Sequence, residues 1–583
     1  MHVPPGQKYN QSKNSRLNTD LIPLLIFPVA LTLAAIPLGW YMAQIYAGRR
    51  IFISPVLGPL ENLIYRCAGI APRSEMTWKN YAWSFAVFNI SGIILLFLLQ
   101  MVQNLLPLNP AGFGPIRWDT ALNTAVSFAT NTNWQSYSGE QTMSHLVQMA
   151  GLAVQNFLSA AVGMAAAIAL IRGFVRKGIT TIGNFWVDLT RSVLYVLLPL
   201  AIIWAFVLVS QGAVQTLSGP APAQTLEGQA QSIYRGPAAS QVAIKVLGTN
   251  GGGFFNVNSA HPFENPTPLT DFMQVLGLLI IPAALPFTLG AMLKNRRQGW
   301  AVYLAMMLLF LGGLAAIAAA ELQGNPLLAK AGIAGGANME GKEVRFGIVN
   351  SILFGQSTTV TSCGAVNSMH DSFLPLGGLV LIFNMATGEV IFGGVGVGLI
   401  GMIVYAILTM FLAGLMIGRT PEFIGKKLEA FEMVMSLVVI LTPALTLLIM
   451  SAAAVSTRAG IAGLGNPGPH GLTEIIYAFA STSGNNGSAF AGLNANTVFY
   501  NLLTALAMLI GRFATILPAL AIAGSLAEKK IVPAGAASFP TTGPLFVLML
   551  ISVIFVVGAL TFFPVFALGP LLEHLFLVAG TVF

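Results

Sequence analysis

Ten apolar segments, each long enough to cross a lipid bilayer, restrict the possible folds of this chain more than any other feature. A soluble globule is excluded, because 55% of the residues are hydrophobic and only 8% are charged. Backbone polar groups inside a bilayer must be satisfied within each segment, so the sequence predicts an all-α polytopic membrane protein with ten transmembrane helices. The segments are residues 21–47, 81–106, 145–171, 192–211, 269–293, 300–322, 373–417, 431–455, 497–526 and 545–568.

The formal net charge of +8 does not indicate nucleic-acid binding, because the Lys and Arg residues are scattered singly between apolar segments. Seventeen of the 28 lie in the loops after the first, third, fifth, seventh and ninth segments, and seven lie in the alternate loops. Basic residues favour the cytoplasmic side of a membrane, so this bias predicts that both termini lie outside the cytoplasm. Three basic residues in the polar tail, residues 1–20, oppose this orientation but are outnumbered.

Four short loops of small, uncharged, polar residues recur at intervals of roughly 120 residues, which indicates four copies of one structural unit. Each loop follows a short apolar segment, namely residues 119–128, 240–247, 346–354 or 472–480. The loops are Asn131, Thr132 and Asn133; Thr249, Asn250 and Gly251; Ser362, Cys363 and Gly364; and Asn485, Asn486 and Gly487.

The recurrence of these loops indicates an ion pore, whereas one glycine-rich run alone, such as residues 248–253, is more often a plain turn. If the four short segments are re-entrant helices, their negative C-terminal ends point to one place where a cation would sit. Glycine allows backbone carbonyls to converge there and to replace the hydration shell of an ion. The loops contain no carboxylate, so we expect a monovalent rather than a divalent cation.

We therefore expect four pseudo-repeated helix, pore-loop and helix units around one pore. A first helix and a last helix lie outside these units. The predicted divisions are a polar tail (1–20), a first helix with its cytoplasmic loop (21–80), pore repeats at 81–191, 192–299, 300–428 and 429–530, and a last helix with the C-terminus (531–583).

The seventh apolar segment is too long for one span and is interrupted by five glycines within residues 388–398. One interpretation is a glycine face for close helix packing. The other is a flexible gate under the pore loops, and the charge of Glu389 within the interruption favours a water-filled path there.

ATP-hydrolysing chemistry is missing from the sequence. No G-x-x-x-x-G-K-[ST] run and no Asp-Lys-Thr-Gly phosphorylation run is present, and the six histidines are scattered. We therefore predict that the chain does not hydrolyse ATP by itself and contains no catalytic residues.

Six long runs stand out, namely residues 131–140, 248–256, 261–266, 338–343, 418–422 and 484–492. In order, and over about residues 21–570, the chain closely resembles the A subunits of the Kdp potassium-pumping ATPase. The resemblance implies a channel-like subunit of the superfamily of potassium transporters. Such a subunit binds external potassium and passes it through a membrane tunnel to a separate P-type pump subunit.

Carried over by position, the resemblance implies filter glycines at Gly251, Gly364 and Gly487, with Asn133 in the first loop. Asn enters the left-handed backbone region at modest cost. Gln135 matches the filter-neighbouring glutamine of the family. The run 356–361 is more polar than the family pattern, which leaves the flanking contacts of the third loop open.

Arg512 matches the family's arginine within the membrane, near the inner end of the pore. One interpretation is a structural partner for an acidic residue or for helix-end carbonyls. The other is an electrostatic barrier that stops a cation below the filter and diverts it sideways.

The resemblance also implies the setting of the protein. It implies a bacterial plasma membrane, potassium as the transported ion, a catalytic P-type subunit and small accessory subunits as partners, and contact with the bilayer. The main alternative is a self-sufficient passive potassium transporter of the Trk, Ktr or HKT type. The first and last helices outside the four repeats favour the pump subunit. A membrane enzyme ranks third, because no nucleophile with a base and no metal constellation is evident.

Overall fold

The structure is a computed structural model that describes residues 21–333, 336–388, 390–531 and 539–581. The polar tail predicted for residues 1–20 and the predicted gate residue Glu389 lie outside the described residues. Within the described residues, ten helices are long and apolar enough to cross a membrane, which confirms the expected number. They are Ile22–Tyr46, Trp78–Met101, Val147–Val175, Phe185–Ser210, Pro268–Met292, Arg296–Glu321, Val397–Ile417, Ala430–Val455, Val498–Glu528 and Pro544–Leu568.

The fourth span begins at Phe185, seven residues before its predicted start at residue 192. The Asn184 side chain accepts hydrogen bonds from the backbone N–H groups of Trp186 and Val187, and so caps a helix that starts outside the apolar run. A π-helical turn at Ser192–Leu197 joins this start to the rest of the span. The turn directly precedes a helical turn with Pro199, which has no N–H group to donate.

Four shorter helices precede the four polar loops, as the sequence predicts. They are too short to cross a membrane, and each ends where its loop begins. The fourth begins four residues before the predicted segment. These pore helices are Trp118–Ala129, Ala238–Leu247, Gly347–Val360 and Gly468–Gly484.

The seventh apolar segment is divided as the sequence predicts, into the helices Pro375–Ala386 and Val397–Ile417. The segment between them contains positive φ angles at Gly388 (81°), Phe392 (50°) and Gly396 (93°). A Cβ atom on Gly396 would lie 2.0 Å from the carbonyl oxygen of Gly163 in the third span. The glycine is therefore required both by its backbone conformation and by close contact with a neighbouring helix.

The third and fifth spans form the centre of the protein. In each, 83% of the most apolar stretch is buried, against 22% in the second span and 28% in the first. Alanine and glycine dominate residues 160–169 of the third span, and small residues allow helix backbones to approach closely where apolar lipid provides no driving force for packing. The central position of this span brings it against the pore loops.

The remaining elements are short and were not predicted from the sequence. They comprise the helices Ser54–Cys67, Gly139–Thr142, Pro326–Lys330, Arg458–Ile461 and Pro570–Ala579, and the 3₁₀ turns Gln103–Leu105, Asn258–Ala260 and His370–Ser372. Three two-stranded antiparallel pairs join Met76–Thr77 to Thr181–Gly183, Ala221–Gln224 to Ala230–Ile233, and Glu422–Phe423 to Lys426–Lys427.

Candidate functional site

The four polar loops meet in the interior of the protein and form one ring. We call residues 131–133, 249–251, 362–364 and 485–487 together the loop ring. All twelve residues are buried. Each loop follows the C-terminal end of its pore helix, so four negative helix ends approach the ring. The structure therefore brings together every loop residue that the sequence singled out.

Close backbone contacts join three of the four pairs of neighbouring loops. A Cβ atom on Gly251 would lie 2.1 Å from the nitrogen of Gly364, and one on Gly364 would lie 2.7 Å from the carbonyl carbon of Gly487. A Cβ atom on Gly487 would lie 1.8 Å from the carbonyl oxygen of Thr132. These distances leave no space for a side chain, so the glycines allow the loops to touch through their backbones.

Backbone conformation separates the third loop from the others. Gly251 (φ 95°), Gly487 (φ 97°) and Asn133 (φ 59°) have positive φ angles, which agrees with the substitution of Asn for Gly in the first loop. Gly364 does not have a positive φ. The requirement for glycine at Gly364 therefore comes from its contact with the fourth loop and not from its own backbone conformation.

Hydrogen bonds between the loops maintain the ring. The Gly364 N–H donates to the Asn250 carbonyl at 3.0 Å, and the Asn250 amide donates to the Asn131 side-chain oxygen at 2.7 Å. The Asn485 amide donates to the Thr132 hydroxyl at 2.9 Å. The asparagines thus cross-link adjacent repeats, which explains the uncharged polar composition of the loops.

The polar run before the third loop has a structural role. The hydroxyl of Thr358 lies 2.6 Å from both the Cys363 and the Ala365 carbonyl oxygens. The Asn486 amide donates to the Thr358 and Thr361 carbonyls, at 2.9 and 3.0 Å. The sequence left the contacts of run 356–361 open, and the structure shows that this run holds the third loop to the fourth.

A buried ion pair supports the second loop. Lys245 and Glu264 form an ion pair in which both side chains are fully buried. The Lys245 ammonium group also donates to the Asn258 side-chain oxygen at 2.7 Å, and the Asn258 amide donates to the Gly251 carbonyl at 2.6 Å. Glu264 also accepts from the Phe255 N–H at 3.0 Å. Sequence reasoning missed this chain of contacts, although a lysine inside an apolar pore helix was a signal for it.

Gln135 occupies the position that the sequence suggested, next to the loop ring. Its side-chain oxygen accepts from the Gly253 N–H at 3.0 Å, and its amide donates to the Gly253 carbonyl at 3.1 Å. This two-point contact connects the first repeat to the end of the second loop. Gln135 therefore positions backbone beside the ring.

A cavity of about 700 Å³ opens on the side of the ring towards which the chain continues after each loop. Its lining includes Gly251, Gly364 and Gly487, and its charged lining residues are Lys342 and Glu343. Lys342 is paired with Glu321 at 3.0 Å. This opening leads from the protein surface to the ring and has few free charges.

The broken seventh segment lies on the opposite side of the ring. The Val395 N–H donates to the Thr249 hydroxyl at 3.0 Å, and the Gly394 N–H donates to the Ser362 hydroxyl at 3.3 Å. The segment therefore contacts the first residues of two loops and faces away from the cavity.

Arg512 lies close to the first loop through one intermediate residue. Its guanidinium donates to the Ser159 carbonyl at 2.7 Å, and the Ser159 hydroxyl donates to the Asn131 side-chain oxygen at 2.8 Å. The residue is 3% exposed, and among the described residues it forms no ion pair. The first interpretation from the sequence was a structural partner, either an acidic residue or helix-end carbonyls. Within the described part of the chain no acidic partner is seen, and the guanidinium donates to a backbone carbonyl.

The site offers backbone carbonyls, amide oxygens and hydroxyls, and none of the twelve ring residues carries a formal charge. Oxygen ligands of moderate field strength suit a weakly hydrated monovalent cation.

The ten spans and four pore helices define a four-repeat membrane transport fold. The solved structure of the potassium transporter TrkH from Vibrio parahaemolyticus shares this fold, with a TM-score of 0.51 and 14% sequence identity, over 84% of this chain and 96% of that chain. Within this fold class, the chain belongs to the KdpA family, the potassium-transporting ATPase A subunits, which it matches over residues 25–575.

Similar proteins cover nearly the whole chain. A potassium-transporting ATPase potassium-binding subunit from Sorangium cellulosum is 55% identical over 571 residues, covering 95% of this chain and 98% of that protein. The protein of the same name from Herpetosiphon aurantiacus is 54% identical, over 96% of this chain and 100% of its own length. The family resemblance that the sequence suggested is confirmed.

Proposed function

We propose that this chain binds potassium from outside the cell in the loop ring and delivers it, through a path within the membrane, to an ATP-hydrolysing partner subunit. The observation that carries the proposal is the closed ring of four neutral loops at the ends of four pore helices. The relatives, which are potassium-binding subunits of potassium-transporting ATPases, support the choice of ion.

The asymmetry of the site supports delivery to a partner rather than direct passage. A cavity of about 700 Å³ leads to one side of the ring, while the broken segment and Arg512 lie against the other side. A fixed guanidinium repels a cation that has passed the ring. The ion would therefore leave sideways, towards a second subunit, with the broken segment acting as a gate.

The need for a second subunit follows from chemistry that the sequence lacks. The chain contains neither a P-loop nor a phosphorylation run, so the energy of ATP must come from a separate catalytic chain. We propose a P-type ATPase subunit and small accessory subunits as partners. We also propose a bacterial plasma-membrane location with both termini outside the cytoplasm, as the basic loops indicate.

The proposal is tested with Gly251→Asp in the complex that copurifies with the chain. A side chain at Gly251 meets the third loop at 2.1 Å and adds a carboxylate to a neutral ring. We expect the potassium concentration for half-maximal ATP hydrolysis to rise at least tenfold, with weaker discrimination against sodium. Potassium-stimulated ATPase activity measures both effects.

The matched control is Gly212→Asp. Gly212 has a similar φ of 99°, but a Cβ atom there meets nothing within 4 Å. Both variants carry the same backbone strain and the same added charge, and only one reaches the ring. If the two variants and the unmodified complex have the same potassium dependence, Gly251 is not part of the binding site.

A further inference from the structure

A second cavity, of about 490 Å³, shares no lining residue with the loop ring or with the cavity beside the ring. It is bounded by the end of the first span, the helix Ser54–Cys67 and the start of the fourth span. Three arginines line it, namely Arg49, Arg50 and Arg191. The proposed potassium path uses none of these residues, so the cavity needs a separate explanation.

The charges in this cavity are not balanced. Arg191 pairs with Glu61 at 2.9 Å, and the hydroxyls of Tyr65 and Tyr195 also donate to the Glu61 carboxylate, each at 2.7 Å. Glu61 is therefore fully engaged. Arg49 and Arg50 are exposed and form no ion pair among the described residues. Three arginines against one glutamate give the cavity a net charge of +2.

The helix beside the cavity has the form of an interfacial membrane helix. Phe52, Val56, Leu60 and Leu63 are exposed along one face, at a spacing of three or four residues, while Tyr65 is 5% exposed and faces the protein. An amphipathic helix with an apolar outer face lies in the boundary between lipid headgroups and acyl chains. The cavity therefore opens at the level of the headgroups.

Aromatic side chains support this depth. Trp40, near the end of the first span, is 59% exposed, and the ring of Tyr41 lies 6.1 Å from that of Phe52. Exposed tryptophan and tyrosine side chains at the ends of spans are typical of the membrane interface. The positive cavity and the exposed apolar face of the helix Ser54–Cys67 thus lie side by side at one membrane surface.

We propose that this cavity binds the phosphate of an anionic phospholipid, whose acyl chains lie along the exposed face of the helix Ser54–Cys67. Two guanidinium groups that form no ion pair among the described residues match a headgroup with net negative charge, although Arg49 also donates to the Gln44 side-chain oxygen at 3.0 Å. Each basic residue near a membrane surface favours such lipids. A zwitterionic headgroup would bring an ammonium group into a positive cavity. A soluble anion would not account for the exposed apolar face of the helix Ser54–Cys67 beside the cavity.

The first test uses the full-length chain purified with its copurifying partners and stripped of lipid in detergent. Phosphatidylglycerol or phosphatidylcholine is then added, and bound lipid is counted by native mass spectrometry. We expect phosphatidylglycerol to be retained and phosphatidylcholine not. Arg49→Gln combined with Arg50→Gln should weaken phosphatidylglycerol binding about tenfold or more.

The matched control combines Arg296→Gln with Arg297→Gln. These two arginines are also adjacent and exposed at the end of a span, but they do not line the cavity. The control should retain phosphatidylglycerol as the unmodified protein does. Equal losses of bound phosphatidylglycerol in both double variants would show that the effect comes from net charge and not from this cavity, and would overturn the proposal.

A second variant fills the cavity without changing its charge. Gly58 lines the cavity, and a Cβ atom there meets nothing within 4 Å. Gly58→Leu should therefore fold normally, because the position is helical and open, and should still lose bound phosphatidylglycerol. Unchanged retention by a folded Gly58→Leu protein would place the lipid elsewhere and overturn the proposal.

Two further outcomes would overturn the proposal. Displacement of the lipid by an equal concentration of inorganic phosphate would show a general anion site without acyl-chain contacts. Loss of the partner subunits from both variants, with lipid retention unchanged, would show that the cavity is a protein interface. Retention of phosphatidylglycerol in the presence of phosphate, lost in both cavity variants alone, is the expected result.

Discussion

At the scale of single residues, polar side chains outside the loops determine where the ring backbone lies. Asn258 donates to the Gly251 carbonyl, and Thr358 lies within hydrogen-bond distance of the Cys363 carbonyl. Such contacts position the carbonyls in a buried site, where an unmade hydrogen bond is costly. The fully buried pair of Lys245 and Glu264 anchors the first of these contacts.

Lys245→Met should be more harmful than the paired change Lys245→Met with Glu264→Gln. Removal of one partner leaves a buried charge uncompensated and costs about 3–5 kcal/mol, whereas removal of both charges is closer to neutral. Glutamine retains an oxygen for the Phe255 N–H group. Thermal unfolding in detergent measures the stabilities.

The same pair of variants tests whether the ion pair positions the ring. The double variant removes the ammonium donor to Asn258 although it folds, so its potassium activation should shift while its melting temperature stays close to the unmodified value. A structural role alone predicts no shift. An unchanged potassium dependence in the double variant would therefore show that Lys245 does not position the ring.

At the scale of elements, the broken seventh segment and the C-terminal helix are held in different ways. The broken segment is held by uncharged contacts: Gly396 lies against Gly163, the Val395 N–H donates to the Thr249 hydroxyl, and the buried Phe392 ring packs on neighbouring aromatic rings. The helix Pro570–Ala579 is held by an ion pair between Glu573 and His470 and by a hydrogen bond from the Thr473 hydroxyl to Glu573.

Gly396→Ala should abolish potassium transport, while Gly388→Ala should be tolerated. Both glycines have positive φ angles, 93° and 81°, so both variants incur a similar backbone cost of about 1–2 kcal/mol. Only the Cβ atom at Gly396 would lie 2.0 Å from the Gly163 carbonyl oxygen. Potassium uptake in cells that depend on this transporter measures the difference. Equal uptake by the two variants would show that the contact with the third span is not needed.

His470 predicts a pH dependence of stability. It lies in the first turn of the fourth pore helix and pairs with Asp371 at 2.9 Å and with Glu573 at 2.8 Å. Burial lowers the pKa of His470, but its hydrogen bonds to the two carboxylates outweigh burial and raise the pKa to about 10. The raised pKa means that this stabilisation is complete below about pH 6.5 and is lost as the pH rises to about 10.

The melting temperature of the protein should therefore fall between pH 7 and pH 10. His470→Gln should lower stability by about 1–2 kcal/mol at pH 6 and have a much smaller effect at pH 10. His574→Gln, one residue after Glu573, is the matched control and should show no such pH dependence. If His470→Gln destabilises the protein equally at both pH values, the stabilisation does not come from a protonated His470 paired with Asp371 and Glu573.

At the scale of the whole molecule, the central question is whether the chain transports potassium alone. The fold is shared with a potassium transporter at 14% identity, whereas relatives near 55% identity are subunits of ATPases. The passive alternative rests on fold likeness only and is not favoured. The assignment as a pump subunit predicts a path that is closed below the ring in the isolated chain.

The isolated chain in liposomes should show no ATP hydrolysis and little potassium flux. In the complex, Arg512→Met should increase potassium leak relative to ATP hydrolysis, because it retains the bulk and removes the charge. A positive charge opposing a cation is worth about 4 kcal/mol at 4 Å in an effective dielectric of 20, which suppresses leak roughly a thousandfold. Selective flux through the unmodified chain alone would favour the passive transporter. Normal coupling in Arg512→Met would exclude the barrier role and leave the assignment as a pump subunit.

Local sequence patterns were enough to predict the class of protein, the ten spans, the four pore loops and the break in the seventh span. Each of these follows from local composition, because a bilayer demands apolar length and a buried loop demands small residues. The exact start of the fourth span was not predictable in this way, since Asn184 caps it outside the apolar run. The helix Ser54–Cys67 was missed because its 14 residues, which include Glu61 and Arg66, are too few and too polar to resemble a span.

Which residues act together depends on packing between distant parts of the chain and could not be predicted from the sequence. The closure of the ring depends on contacts between loops more than 100 residues apart, such as Asn250 with Gly364, and no local pattern specifies them. The same holds for the hydrogen bonds that connect Lys245 through Asn258 to the Gly251 carbonyl, and for the ion pairs of His470. Ion pairs form between whichever charges packing brings together. Gly364 shows the difference most clearly, since its glycine is required by a neighbouring loop and not by its own backbone angles.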